Sequence, residues 1–241
     1  MSGSVKTLVV IPTYNEAGNI ERLIREIGAQ GLPLDLLVID DNSPDGTGKL
    51  AEALCGEFPL KVLRRAGKLG IGSAHKEGFR WALERGYDAV VTMDADFAHS
   101  PEHLRTLLLK ADAGDVVVGS RYMNGGGLAG WSLPRIIITH TAHWLTGHLL
   151  GIPYDCTGAF RYYPARVLRQ IHLGEVRAEG YAFLIEMLFQ VRKQGFSVIE
   201  IPIVISPRQL GKSKISRSEI LRAVKTLCRL GLQQMKNGSP K

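Results

Sequence analysis

Cysteine is scarce in this 241-residue chain, and the three present, Cys55, Cys156 and Cys228, are scattered and odd in number. That pattern excludes a disulfide framework and a Cys-x-x-Cys metal site, so a reducing cytoplasm is the expected setting. Long apolar runs are missing too. The longest weakly polar stretch, residues 136–152, carries His140, His143, His148 and three threonines, whereas a spanning helix needs about 20 predominantly apolar residues. It reads as a buried or membrane-facing amphipathic helix pair, with plain core packing as the alternative. Its histidines have no third and fourth ligand beside them, which argues against zinc. No secretory leader is expected ahead of the first strand, near Val5. Nucleic acid is not an expected partner either, because no binding module or aromatic stacking platform is present.

Acidic residues are sparse at one end. From Ser206 to Lys241 there are nine Lys or Arg and one acid, Glu219, so the whole excess of the +7 net charge lies in that tail. Ile220, Leu221, Val224, Leu227 and Cys228 fall on one helical face there, and Arg222, Lys225 and Arg229 on the opposite one. Two readings stand: a surface helix with a solvated basic face, or a helix docked on an anionic membrane. With 45% hydrophobic and 22% charged residues, the remainder has the composition of one enzyme-sized globular domain.

The most informative feature is Asp94-Ala95-Asp96, which directly follows the apolar run 87–93. A lone Asp-x-Asp is also ordinary turn chemistry. Two further apolar runs end similarly, however: residues 8–11 lead into Pro12-Thr13-Tyr14-Asn15-Glu16, and residues 36–39 into Asp40-Asp41-Asn42-Ser43-Pro44-Asp45-Gly46-Thr47. Short β-branched runs bounded by turn residues predict buried parallel strands, and the stretches between them have helical periodicity. Ile20, Leu23, Ile24 and Ile27 form one stripe, helices are predicted over 47–58 and 73–85, and Ser100-Pro101-Glu102 supplies an N-cap, a proline at N1 and a first-turn acid. Alternation of strand and helix predicts an α/β, doubly wound, mostly parallel sheet with right-handed crossovers. Three strand ends then deliver acid to one rim, where an oxygen-ligated divalent cation carrying phosphates would sit.

Residues 9–16, 39–47, Lys68-Leu69-Gly70-Ile71-Gly72, Met93-Asp94-Ala95-Asp96 and Gly119-Ser120-Arg121-Tyr122 together resemble the family 2 glycosyltransferases of GT-A fold. Gly180-Tyr181-Ala182-Phe183, Ile185-Glu186-Met187 and the segment from Ile201-Pro202 through Arg208 to Lys214 resemble the polyprenol-phosphate (dolichol-phosphate) mannosyltransferases within it. The resemblance covers roughly residues 5–230. It implies a GT-A catalytic domain over 1–215, with a donor half to about 122 and an acceptor half from about 123, followed by a basic amphipathic helix and tail over 216–241.

It also implies site roles. Pro12, Tyr14, Glu16, Asp41, Lys68, Asp94, Ala95, Asp96, Arg208 and Lys214 would bind the nucleotide sugar, GDP-mannose. Asp94 and Asp96 would hold Mg²⁺ or Mn²⁺ and, with Arg121 and Arg208, serve the chemistry. Arg121, Arg135 and Thr139 would hold the acceptor phosphate of a polyprenyl phosphate. A phosphate monoester, with a second pKa of about 6, already carries a nucleophilic oxyanion at neutral pH and needs cationic positioning, whereas a sugar hydroxyl needs a general base. Glu186 stands as that base, as an organiser of loops, or as an ion-pair partner for an arginine. Direct displacement would convert an α-linked donor into a β-linked product.

The sequence departs from the family pattern at Ala98, where relatives often have a polar residue near the metal. Thr157-Gly158-Ala159-Phe160-Arg161, Leu184, Thr139 and His143 depart as well, all near the acceptor side. No pair of hydrophobic spans is expected, so a peripheral enzyme on the cytoplasmic face of a membrane, held by the basic helix or by a membrane-anchoring partner, is the reading. Its alternatives are a soluble family 2 transferase acting on a hydroxyl and a non-catalytic nucleotide-sugar-binding subunit.

Overall fold

The computed structural model describes residues 5–111, 114–206 and 217–236, the side chains of Arg217 and Ser218 excepted. Nine strands and eight helices are described: β1 (Thr7–Thr13), α1 (Ile20–Ala29), β2 (Leu34–Asp40), α2 (Thr47–Ala53), β3 (Leu60–Arg64), α3 (Ile71–Glu84), β4 (Ala89–Thr92), α4 (His103–Leu109), β5 (Val116–Ser120), β6 (Gly127–Leu128), α5 (Leu133–Leu150), β7 (Arg161–Pro164), α6 (Ala165–Gln170), α7 (Ala182–Lys193), β8 (Val198–Pro202), β9 (Val204–Ile205) and α8 (Arg217–Lys236). Seven strands form one sheet in the order β3-β2-β1-β4-β7-β5-β8, and β6 pairs with β9 beside it. Within the sheet every pairing is parallel except those of β7, which runs antiparallel to β4 and β5.

Side chains alternate across the pleat, so each central strand feeds two cores. Leu8 and Val10 of β1 and Leu37 and Ile39 of β2 pack with Phe79 of α3, Phe183 and Leu188 of α7, and Leu227 and Leu230 of α8. Val9, Ile11, Leu36 and Val38 point the other way, onto Ile20, Leu23, Ile24 and Ile27 of α1 and Leu104 and Leu107 of α4. Gly78 lets α3 approach the sheet, since a Cβ there would lie 2.6 Å from Val10 Cγ1.

Several element boundaries differ from the sequence reading. The helix predicted over 47–58 ends at Ala53, because Leu54, Cys55 and Glu57 N–H groups bond to carbonyls three residues back, tightening the chain into turns. Ser100 does not cap α4, and Pro101 and Glu102 precede its first turn: the helix begins at His103, and Ser100 Oγ accepts the Glu102 N–H at 3.4 Å to close a turn immediately before it. Residues 136–152 form no helix pair: α5 is one 18-residue helix, with Gly151 at φ 61 as its left-handed stop. On α8 the buried side chains are Thr226, Leu227 and Leu230, while Ile220, Leu221 and Val224 are exposed, so the predicted apolar face meets the protein only at one edge. No helix among the described residues is long and apolar enough to cross a membrane.

Candidate active site

Because β2 and β4 flank β1, the chain crosses in opposite directions from β1, and a crevice opens beyond the carboxyl ends of β1 and β4. The backbone marks this rim. The three non-glycine residues with positive φ among those described, Asn15 (57°), Asn42 (55°) and Phe97 (59°), lie just past β1, β2 and β4. For a phenylalanine that conformation costs on the order of 1–3 kcal/mol and persists only under outside restraint. The buried Phe97 ring has the Arg22 guanidinium 4.7 Å above it.

Side chains of the β2 loop lash the rim together. Ser43 Oγ accepts the Asn15 N–H (3.0 Å), Thr47 Oγ1 the Glu16 N–H (2.9 Å) and Asp45 the Ala17 N–H (3.0 Å). Asp41 is paired with buried Arg65, and its Oδ2 accepts the N–H groups of Leu69 (3.0 Å) and Gly70 (2.9 Å), fixing the loop that carries Lys68. Lys68 Nζ lies 4.2 Å over the Tyr14 ring. At β4, Asp96 Oδ1 accepts the Ala98 N–H at 3.0 Å, so the acidic pair is held in a defined turn.

Two adjoining cavities result. The larger, about 610 Å³, is lined by Pro12, Tyr14, Glu16, Asp41, Lys68, Asp94, Ala95 and Asp96 together with Glu179, Gly180 and Tyr181. The smaller, about 160 Å³, lies between the rim, α5 and α8 and is lined by Asp94, Asp96, Arg121, Arg135, Thr139 and His99, with apolar Ile138 and Ile220. The acidic pair belongs to both, so one end of each cavity meets the same carboxylates. Of the residues the sequence singled out for the site, Arg208 and Lys214 fall outside the described residues.

Arg121 is held for its task. Its Nε donates to Asp155 Oδ2 (2.7 Å), and Nη2 donates to Oδ1 (3.0 Å) and to Thr157 Oγ1 (3.0 Å). Burial alone would raise the Asp155 carboxyl, but the Arg121 charge and its hydrogen bonds outweigh it and hold the group below the usual carboxylate range. Arg135 stacks 3.6 Å over the Trp131 ring. His99 is buried with Nδ1 4.0 Å from Asp94 Oδ2; burial, with Arg121 nearby, lowers its pKa to about 4 despite the pull of Asp96, so the imidazole is neutral at pH 7. Sequence reasoning missed Asp155, Arg65 and His99. Glu186, offered there as a base, is fully buried on α7, accepts the Ala178 N–H at 2.6 Å and lines neither cavity.

Residues 8–171 match the model of glycosyl transferase family 2. This chain is a family 2 glycosyltransferase. The transferase is 41% identical over 232 residues to a polyprenol monophosphomannose synthase of Mycolicibacterium smegmatis, covering 95% of this chain and 88% of that one. It is 39% identical over 230 residues to an undecaprenyl-phosphate mannosyltransferase of Micrococcus luteus, covering 95% of each. Its GT-A fold is shared with glucosyl-3-phosphoglycerate synthase from Mycobacterium tuberculosis, solved with Mn²⁺, UDP and glucosyl-3-phosphoglycerate (TM-score 0.71, 19% identity, 94% of this chain and 80% of that one). A further structure of that synthase contains Mg²⁺ and UDP (TM-score 0.69, 19% identity, 94% of this chain and 79% of that one). Divalent-metal use accords with the transferase's own donor set. Asp94 and Asp96 offer hard carboxylate oxygens at the junction of the cavities, a set that suits Mg²⁺ or Mn²⁺ once phosphate oxygens and water complete the shell.

Proposed function

We propose that this glycosyltransferase moves mannose from GDP-mannose to a polyprenyl phosphate at a membrane surface, with inversion at the anomeric carbon. One observation carries the reading: the smaller cavity combines the guanidinium groups of Arg121 and Arg135 with an apolar mouth at Ile138 and Ile220, which are 49% and 42% exposed. Two guanidinium groups beside a carboxylate pair that a divalent cation would offset, under an apolar lip, suit an amphiphile with an anionic head. The name of one relative gives a polyprenol monophosphomannose as product and that of the other undecaprenyl phosphate with mannosyl transfer, which supports a lipid-phosphate acceptor; GDP-mannose rests on the subfamily resemblance alone.

In this reading the donor half, to about residue 122, binds the nucleotide sugar in the larger cleft. Pro12, Tyr14 and Glu16 face the base and ribose, and Asp41 acts there while shaping the Lys68 loop. Arg208 and Lys214 complete the phosphate contacts. Asp94 and Asp96 hold the divalent cation, which when bound neutralises the departing nucleoside diphosphate. Arg121, fixed by Asp155, and Arg135 and Thr139 on α5 orient the acceptor phosphate. Its oxyanion attacks the anomeric carbon, the bond from that carbon to the donor phosphate oxygen breaks, and GDP leaves with the electron pair. No base has to remove a proton, consistent with the burial of Glu186 away from both cavities. On α5 and α8, exposed Ile137, Trp144, Leu221 and Val224 beside the basic residues of α8 support peripheral attachment to the cytoplasmic leaflet, with or without an anchoring partner.

The test is a transfer assay with purified protein, Mg²⁺ or Mn²⁺, labelled GDP-mannose and a short polyprenyl phosphate, scoring label in the organic phase. Metal-dependent lipid label that UDP-glucose does not give, with a β linkage by NMR, is the expected result. Nucleotide-sugar binding without lipid label would overturn the acceptor, and an α linkage the direct displacement.

A further inference from the structure

Part of the wall of the larger cleft is residues 179–181, which follow no strand and lie in a loop ahead of α7. What holds this loop comes from the C-terminal helix. Glu219 Oε2 on α8 accepts the Tyr181 N–H at 3.2 Å, and its Oε1 accepts from Arg222 at 2.6 Å. Gly180 takes φ 58 at the contact, and a Cβ there would collide with the Glu219 carboxylate. Ten residues along α8, about 15 Å by helical rise, a second grip appears. Arg229 Nη2 lies 2.8 Å from Oε1 of buried Glu186, off the alignment of a hydrogen bond and therefore a charge contact, while Glu186 Oε2 accepts the Ala178 N–H at 2.6 Å. Lys76 of α3 donates to the Val176 carbonyl at 2.6 Å and steadies the start of the same loop.

We propose that α8 is a positioning element for the donor cleft: Glu219 directly, and Arg229 acting through Glu186, hold the 178–181 segment in the form that closes on the nucleotide sugar. The inference rests on the reading of the larger cavity as the nucleotide-sugar site. Glu186 and Arg229 touch neither substrate, so they are positioning residues. Breaking the charge contact releases the Ala178 end of the loop, which reaches the larger cleft through Glu179, Gly180 and Tyr181 and the acceptor cavity through Tyr181 alone, and it leaves the contacts of Asp94, Asp96 and Arg121 in place. Donor affinity is the quantity that changes.

Calorimetric binding of GDP and of UDP with Mn²⁺, together with steady-state kinetics, tests this on the full chain. Arg229→Met is expected to weaken the nucleotide that binds the wild type, and to raise donor KM, by about tenfold, in the ordinary range of coupling between sites. At saturating donor kcat stays within about twofold, and Arg229→Lys, which keeps the charge, recovers most of the affinity. Glu186→Gln removes the same charge contact from the other side, at a residue that lines neither cavity, and gives the same split if Arg229→Met does not fold. Unchanged nucleotide affinity in a folded variant, or a fall in kcat at constant KM, would overturn the proposal. If neither nucleotide binds the wild type, the cleft assignment fails and the proposal with it. Nucleotide binding without lipid transfer overturns only the acceptor reading and leaves this one to be decided by the binding data.

Discussion

Replacing Asp155 by Asn removes one charge from the Arg121 pair at nearly constant shape. The two side chains are 0% and 6% exposed, with contacts of 2.7 and 3.0 Å. At an effective dielectric of about 20, charges about 4 Å apart attract by roughly 4 kcal/mol. Each buried ion also carries a desolvation cost of several kcal/mol, which the partner offsets, so removing one partner alone destabilises by about 3–5 kcal/mol. Urea unfolding of Asp155→Asn should therefore show a loss of about 3 kcal/mol, and Arg121→Met a similar loss. The double variant should lose at least about 2 kcal/mol less than the two single losses added together, because no buried charge is stranded. Asp155 is held below the usual carboxylate range, so its contribution is present above the ordinary carboxylate pKa and is lost as pH falls through the lower folded value. The deficit of Asp155→Asn should accordingly shrink in strong acid. Strictly additive losses, or a deficit independent of pH, would refute the view that the pair holds Arg121 in place.

Asp96→Asn should keep the wild-type unfolding midpoint to within a few degrees yet lose all metal-dependent transfer, which label counting against a Mn²⁺ titration checks. Burial lowers His75 to about 4 from an ordinary value of 6.5, so the unfolded chain takes up a proton that the folded one refuses. Stability present above pH 6.5 should fall as pH drops toward 4 and then level, by up to about 3 kcal/mol, and the fall should be smaller in His75→Leu, as urea midpoints across that window would show. Gly78→Ala should destabilise by about 1–3 kcal/mol in thermal unfolding, since its Cβ would press on Val10 at 2.6 Å. Sedimentation with anionic vesicles should weaken in high salt without vanishing, because exposed Ile220, Leu221 and Val224 add a salt-insensitive apolar term.

The first 100 residues were legible because local pattern and fold agree there. β1, β2 and β4 are buried on both faces and read as unbroken apolar runs, and their acidic ends fall together because parallel strands all finish at one rim. Legibility faded where tertiary contacts decide. Nothing local distinguishes Glu186 as buried: its neighbours on α7 are apolar in any reading, and its partners, the Ala178 N–H and Arg229 from 43 positions later, are assigned by tertiary contacts. On α8 the heptad-like stripe was real, but helix rotation is set by packing against α5 and α7, which turns Leu227 and Leu230 inward and leaves Ile220 and Leu221 outside.

Asp155 escaped for a different reason, which bears on how the two cavities come to share a wall. A search for acids after apolar strands finds residues delivered by parallel strands, since those strands end at the rim. β7 runs the other way between β4 and β5, with Arg161 opposite Thr92, so its beginning rather than its end lies at the rim. The loop ahead of β7 therefore carries Asp155 and Thr157 to the guanidinium of Arg121, which follows β5. Thr92 Oγ1 donates to the Ala159 carbonyl at 2.5 Å and ties that loop back to the strand bearing the acidic pair. One reversed strand thus sets a clamped cation beside two carboxylates. Had β7 been parallel, its preceding loop would lie at the opposite edge of the sheet, and Arg121 would face Asp94 and Asp96 with no Asp155 to hold it away from them.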